Sequence, residues 1–114
     1  MTAAPSRAGD ILAVDWETTG DGTHASNAEK DTFIKKVKAL RPTHRVVLYC
    51  NRDFWLNTDH TSYAGDGLWI ADYVTAGHPR IKAKWLFHQY TSEPHDKDVA
   101  NFASKAALKE WATR

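Results

Sequence analysis

The stretch Ile11-Leu12-Ala13-Val14-Asp15-Trp16-Glu17 decides the fold class, because a continuous apolar run ends there in polar residues. A run of this kind is typical of a strand that is buried on both faces, as in a parallel sheet. Gly20-Asp21-Gly22 then predicts a loop. Ser26 and Glu29 form a capping-box pattern, which predicts the start of a helix that Pro42 ends. The order strand, loop, helix indicates a β-α unit.

The strand pattern recurs three times along the chain, with apolar runs at residues 46–49, 68–71 and 85–87. A last helix is predicted from a cap at Ser104 through Trp111. Strands that alternate with helices or loops indicate β-α units with right-handed crossovers. We therefore predict an α/β fold with about four parallel strands. The 114 residues are expected to form a single domain, residues 1–114, with a loose lead-in over residues 1–9.

The composition is that of a globular protein and argues against several classes of function. The formal net charge is +1, whereas nucleic-acid binding usually requires a strong basic excess. No apolar run approaches the ~20 residues of a membrane helix, and the first nine residues lack the apolar core of a signal peptide. We therefore expect synthesis in a (host) cytoplasm, with no nucleic-acid or membrane partner.

Two smaller features of the sequence carry structural expectations. Cys50 is the only cysteine, and its apolar flanks predict a buried strand residue. Four lysines of the first predicted helix are expected to form its solvated face: Lys30, Lys35, Lys36 and Lys38.

Polar or aromatic residues follow each predicted strand. The carboxyl ends of parallel strands point to one face, where α/β proteins build their active sites. We therefore expect one cleft to collect Glu17, Asn51, Asp72, Tyr73, Gln89 and Tyr90. Aromatic rings at strand ends suit stacking on sugars, which applies to Tyr49, Trp69, Tyr73 and Tyr90, whereas Trp85 and Trp111 are expected to pack in the core.

Asp15 and Glu17 lie two residues apart on a strand, so their side chains lean to the same face. Two carboxylates this close do not both ionise freely, so one pKa should be raised, and we assign the raised pKa to Glu17. A carboxylic acid with a raised pKa is the proton donor that glycosidic bond cleavage requires. The same pair could instead bind a hard cation, or Asp15 could pair with a basic residue in the sheet. The six histidines show no close zinc spacing.

Five short motifs, in this order along the chain, resemble those of the glycoside hydrolase family 25 muramidases. They are Asp15-Trp16-Glu17, Tyr49-Cys50-Asn51, Leu68-Trp69-Ile70-Ala71-Asp72-Tyr73, His88-Gln89-Tyr90 and Asp96-Lys97-Asp98-Val99. His88 stands where the family usually has tryptophan. The resemblance covers about residues 10–102 and is closest to bacteriophage and actinobacterial endolysins.

This resemblance implies an enzyme that cleaves the β-1,4 bond between N-acetylmuramic acid and N-acetylglucosamine in bacterial peptidoglycan. It implies that Glu17 is the general acid and that Asp15 orients the 2-acetamido group of the sugar. Asp96 matches the last acidic position, with Asp98 as the alternative register. No metal or organic cofactor is implied. The residues implied to bind the glycan or to support the carboxylates are Tyr49, Asn51, Trp69, Tyr73, Gln89 and Tyr90.

The resemblance also predicts an incomplete barrel. The family opens with a strand bearing an aspartate, and further strands precede its Asp-x-Glu strand, whereas nine residues precede Asp10 here. We therefore expect a partial, half β/α barrel, as in family 25 lysozymes, which pairs as a homodimer or with a complementing amino-terminal fragment. Two other functions remain open. One is a non-catalytic cell-wall-binding or virion-associated remnant, and the other is a metal-dependent hydrolase that uses Asp15, Glu17 and His88.

Overall fold

The computed structural model describes residues 11–113, which form one five-stranded sheet with helices packed beside it. Its strands are β1 (Ile11–Asp15), β2 (Arg45–Asn51), β3 (Gly67–Ala71), β4 (Phe87–Thr91) and β5 (Lys97–Ala100), in this order across the sheet. The helices are α1 (Asn27–Leu40), α2 (Lys105–Thr113) and a short π-helix at Phe54–Thr58. The predicted lead-in, residues 1–9, lies outside the described residues. None of the helices described is both long and apolar enough to cross a membrane.

The predicted parallel strands are confirmed, because β1, β2, β3 and β4 pair in parallel in chain order. Two details differ from the prediction. β4 begins at Phe87 and includes His88, Gln89 and Tyr90, which were expected to follow the strand. β5 was not predicted, and it pairs with β4 in the antiparallel direction. The sheet formed by residues 11–113 is open, with β1 and β5 at its edges, so a closed barrel is not seen in this part of the chain.

One face of the sheet forms the core together with α1. Ser26 caps this helix as predicted, since its Oγ accepts from Glu29 N at 3.1 Å and Glu29 Oε1 accepts from Ser26 N at 3.0 Å. From α1, Ile34 and Val37 pack against the sheet. Alternation along the strands places every second residue on this face: Leu12, Val14, Trp16, Val46, Leu48, Cys50, Leu68 and Ile70. The expectation that Cys50 is buried is confirmed.

Lys30 corrects the prediction that all four lysines of α1 are solvated. It lies one turn before Ile34 on the inward stripe of the helix, and it is 0% exposed. Its Nζ contacts Asp59 Oδ1 at 2.7 Å and Asp31 Oδ1 at 2.6 Å, and it lies 5.2 Å from the centroid of the Trp16 ring. A buried ammonium group is tolerated only with such partners. This contact anchors the loop that follows the π-helix to the helix α1.

The opposite face of the sheet carries a different set of side chains. Its apolar part encloses a cavity of about 260 Å³, lined by Ile11, Ala13, Val47, Trp69, Phe87 and Asp98. Trp111 of α2 packs near Phe87 and Phe102, at ring distances of 6.5 and 5.6 Å, and Trp85 packs against the core. The predicted core packing is therefore confirmed for Trp85, whereas Trp111 is half-buried and packs against Phe87 and Phe102, outside the core formed with α1.

Candidate active site

Asp15, Tyr49 and Trp69 stand in a row across three neighbouring strands on this second face. Asp15 pairs in register with Tyr49, which pairs in turn with Trp69. Side chains in register on parallel strands share one face of the sheet. With Glu17, Gln89 and Asp96 they line a cavity of about 450 Å³, which we call the acidic cleft. The structure therefore brings the three predicted acidic residues and three predicted glycan-binding residues into one cavity.

Asp15 is the carboxyl group in the acidic cleft whose pKa is raised. Burial, followed by the hydrogen bond with Glu17 and the charge of Glu17, raises the pKa of Asp15 from 3.8 to about 6. Its Oδ1 atom is buried and has no hydrogen-bond partner among residues 11–113. The prediction that one carboxyl group of this pair has a raised pKa is met by Asp15, and the Glu17 side chain lies at the exposed rim. The raised pKa belongs to Asp15 because that side chain is the one drawn into the sheet.

Tyr49 and Gln89 are joined in the wall of the acidic cleft. The hydroxyl group of Tyr49 donates to Gln89 Oε1, and the Tyr49 ring meets Trp69 edge-on at 4.7 Å between centroids. Burial raises the pKa of Tyr49 above its usual range, with smaller contributions from nearby Tyr73 and the acidic residues. Gln89 is 4% exposed, so its amide fixes the Tyr49 ring. The support of the carboxyl groups by Gln89 stays a prediction.

Asp96 and Asp98, the two candidates for the last acidic position, have different surroundings. Asp98 lies on β5, and its Oδ1 accepts a hydrogen bond from Trp69 Nε1 at 2.6 Å. Asp96 precedes β5, is exposed and lines the acidic cleft with Asp15 and Glu17. Asp98 therefore holds Trp69 in place, and Asp96 is the residue that faces the two carboxyl groups.

A second cavity of about 590 Å³ adjoins the first. We call it the outer cleft, and it shares Glu17 and Tyr49 with the acidic cleft. Tyr73 is 58% exposed here, as expected for a residue that offers its ring to a ligand. Asn51 also lines this cleft, and its Oδ1 accepts from Phe54 N at 2.8 Å. Asn51 therefore has a structural task as well, since it fixes the start of the π-helix.

Asp72 and Arg80 form the ion pair at the far side of the outer cleft. Arg80 Nη2 donates to Asp72 Oδ1 at 2.7 Å, and Arg80 N and Nε donate to Oδ2 at 2.9 and 3.1 Å. These hydrogen bonds hold the pKa of Asp72 below its usual range. Asp72 is 5% exposed. Sequence reasoning missed Arg80, although an aspartate at the end of an apolar strand signals a cationic partner elsewhere in the chain.

Two residues predicted for the site lie elsewhere. His88 is 0% exposed; its Nδ1 accepts from Gly77 N at 3.1 Å, so Nε2 carries the proton and donates to Asp72 O at 2.6 Å. Tyr90 packs near His88, with 6.2 Å between ring centroids, and it is absent from the linings of both clefts. Alternation along β4 explains this placement, because Gln89 takes the cleft face.

The placement of His88 also bears on the metal-dependent alternative. Its ring contacts the loop after β3 and does not meet Asp15 and Glu17. In the described part of the chain, no group of three or more His, Cys, Asp or Glu side chains is placed to hold a metal ion. These three residues therefore do not form a metal site in the described structure.

A comparison with protein families decides the relationship that the five motifs suggest. The model described as glycosyl hydrolases family 25 matches residues 1–99. This chain belongs to family 25. Membership of family 25 makes it a glycoside hydrolase of the lysozyme type, which acts on peptidoglycan. Searches of curated proteins and of solved structures found no significant match. The family 25 match includes β1 to β4 and all residues of the acidic cleft.

Proposed function

We propose that this chain carries the catalytic carboxyl groups of an N-acetylmuramidase that cleaves the β-1,4 bond between N-acetylmuramic acid and N-acetylglucosamine. One observation carries the proposal. Asp15 and Glu17 line one cleft with an aromatic wall, where burial, reinforced by Glu17, raises the pKa of Asp15 to about 6. Glycosidic bond hydrolysis uses two carboxyl groups that flank the scissile bond in one cleft.

In this proposal Glu17 is the general acid. It lines both the acidic cleft and the outer cleft, so a glycan that occupies both would place one glycosidic bond beside it. Proton transfer from Glu17 to the glycosidic oxygen allows the C–O bond to break. The resulting carboxylate can then accept a proton from the water that completes hydrolysis.

Asp15 is proposed to orient the 2-acetamido group of the sugar. Asp15 lines the acidic cleft, where its carboxylate can accept a hydrogen bond from the acetamido N–H. The acetamido oxygen would then attack the anomeric carbon as the glycosidic bond breaks, and water would open the ring intermediate. Asp96 faces the same cleft and adds negative charge where positive charge develops on the sugar.

The glycan itself is proposed to lie along the aromatic residues of the two clefts. Trp69 and Tyr49 form the wall of the acidic cleft, and Tyr73 offers an exposed ring in the outer cleft. Sugar rings present apolar faces that stack on such rings. The motifs resemble those of bacteriophage and actinobacterial endolysins, and on that basis we propose that the enzyme is made in a (host) cytoplasm and degrades the cell wall.

We further propose that the open sheet is closed by amino-terminal strands of a family 25 domain, either from the same polypeptide or from a separate one. The outer edge of β1 pairs with no strand within residues 11–113, and an unpaired edge is a template for another strand. The apolar cavity of Ile11, Ala13 and Val47 lies beside that edge. Sedimentation of the chain with a fragment bearing these strands should show a one-to-one complex. A stable homodimer that does not bind the fragment would show that a second copy of the chain, and not the amino-terminal strands, is the partner.

Loss of turbidity in a suspension of purified peptidoglycan tests the proposed activity. The complemented chain should clear the suspension, and Glu17→Gln should abolish clearing while leaving wall binding in a pull-down unchanged. Glu93→Gln is the matched control, because Glu93 is exposed and lines neither cleft. Wall binding without clearing by the parent protein would favour the non-catalytic wall-binding function.

A further inference from the structure

A further cavity, which we call the basic groove, has no part in the mechanism above. Its volume is about 740 Å³. Arg52 and Arg80 line both this groove and the outer cleft, so the two cavities adjoin. The groove is also lined by Trp55, Leu56, Ile81 and Lys82. A ligand that fills the outer cleft can therefore extend into the basic groove.

The charges of the basic groove are only partly neutralised by the protein. Arg80 is bound by Asp72, and Asp59 is bound by the buried Lys30. Within residues 11–113, neither Arg52 nor Lys82 forms an ion pair. Two cations at the edge of one cavity attract an anionic ligand, and a carboxylate or phosphate is the usual partner of arginine in such a position.

Arg52 is positioned for this purpose by the backbone. Its Nε donates to Arg80 O at 2.9 Å, which fixes the planar guanidinium group at the boundary between the two cavities. Beside it, Trp55, Leu56, Ile81 and Ala83 form the apolar part of the groove wall, and His60 and Ser62 add polar groups to it. Leu56 is 47% exposed, although it follows the buried residue Trp55. The groove therefore combines a cationic edge with an apolar wall, which suits a short peptide that has both carboxylates and small apolar side chains.

We propose that the basic groove binds the acidic peptide that peptidoglycan carries on muramic acid, with Arg52 and Lys82 binding its carboxylates. This inference rests on the proposed function, which places the glycan in the adjoining clefts. The peptide leaves the glycan at each muramic acid, so a muramic acid bound in the outer cleft directs its peptide toward Arg52. The alanine methyl groups of the peptide would contact Trp55 and Leu56. The enzyme would then prefer peptide-bearing wall to peptide-free glycan.

Nuclear magnetic resonance titration of the ¹⁵N-labelled chain, complemented by the fragment that bears the amino-terminal strands, tests this assignment. The probes are a muramyl disaccharide with its peptide, the same compound with the peptide carboxylates amidated, and the peptide-free disaccharide. The acidic peptide should shift the amide signals of Leu56, Ile81 and Lys82, and amidation should weaken its binding about tenfold. Lys82→Glu should also weaken it about tenfold. Lys84→Glu should change it less than about twofold, because Lys84 is equally exposed and lies outside the groove.

Each probe separates this inference from the function on which it rests. Equal affinity for the amidated compound, or an unshifted groove while the peptide-free disaccharide shifts Tyr49 and Trp69, overturns the peptide site and leaves the proposed function intact. Failure of the disaccharide to shift Tyr49 and Trp69 counts against the proposed function itself. A glycerol phosphate oligomer that binds the groove more tightly than the peptide-bearing disaccharide would overturn the assignment to the peptide. The ligand of the groove would then be a phosphate polymer of the wall. If Lys82→Glu does not fold, Lys82→Ala carries the same comparison.

Discussion

Replacing Asp15 with asparagine is expected to remove a pH dependence of folding stability between pH 4 and pH 8. In the folded protein, burial and Glu17 raise the pKa of Asp15 from 3.8 to about 6. A carboxyl group whose pKa is raised by folding stabilises the protein fully below its unfolded pKa, and this stability is lost as the pH rises through the folded pKa. The parent should therefore lose stability relative to the variant between about pH 4 and pH 6.

The size of this loss follows from the pKa difference. Complete burial would make it at most about 3 kcal/mol. Asp15 is only half-buried and its cleft is open to solvent, so screening should reduce the loss to about 1 kcal/mol. Between pH 4 and pH 8, the free energy of unfolding of Asp15→Asn should therefore rise by about 1 kcal/mol relative to that of the parent. This change is independent of the difference between the two proteins at pH 4.

Urea denaturation at several pH values measures this difference through the midpoint of unfolding. Asp15→Ala serves as a second variant, because it too lacks the ionisable group and should show the same change with pH. A stability difference between parent and variants that is independent of pH would show that folding does not raise the pKa of Asp15. A parent that loses stability relative to the variants as the pH falls below about 4 would show that folding lowers the pKa of Asp15.

Three further substitutions test other parts of the account. Glu17→Gln should lower the rate of wall hydrolysis by a factor of about 10²–10⁴. The unfolding midpoint should change little, because the side chain is exposed. Hydrolysis at the parental rate would show that Glu17 is not the general acid. Trp69→Ala should weaken glycan binding about tenfold, as measured by calorimetry, and affect stability less; an unfolded variant would assign Trp69 to the core. Lys30→Ala should lower the free energy of unfolding, measured by urea denaturation, by about 3–5 kcal/mol, because Asp59 stays buried without its cation. Lys36 is exposed, so the control Lys36→Ala should lower the free energy of unfolding by less than about 0.5 kcal/mol.

The sequence predicted those parts of the fold whose signals are local. The apolar run of residues 11–14 and the pair Ser26 and Glu29 each identify their element through neighbouring residues alone. β5 (Lys97–Ala100) was missed because it begins with two charged, exposed residues and becomes a strand by pairing with β4. Lys30 was misread for a similar reason. Its burial depends on Asp59, which lies 29 residues away in the chain.

The candidate site shows the same division between local and distant signals. The spacing of Asp15 and Glu17 predicted their shared face, and strand ends predicted the positions of Tyr49 and Trp69. The sequence did not show that Asp15 is buried more deeply than Glu17. The sequence also did not show that Trp69 donates a hydrogen bond to Asp98, nor that Asp96 lines the acidic cleft. Both outcomes depend on contacts between residues far apart in the chain.

The identity of the sugar at newly formed reducing ends tests the central claim most directly. Purified peptidoglycan is digested with the chain complemented by the amino-terminal strands, the new ends are reduced with borohydride, and the products are identified by mass spectrometry. A muramidase produces reduced N-acetylmuramic acid as the new end, and Glu17→Gln should produce no new ends. Reduced N-acetylglucosamine at the new ends, or equal product from the parent and Glu17→Gln, would contradict it.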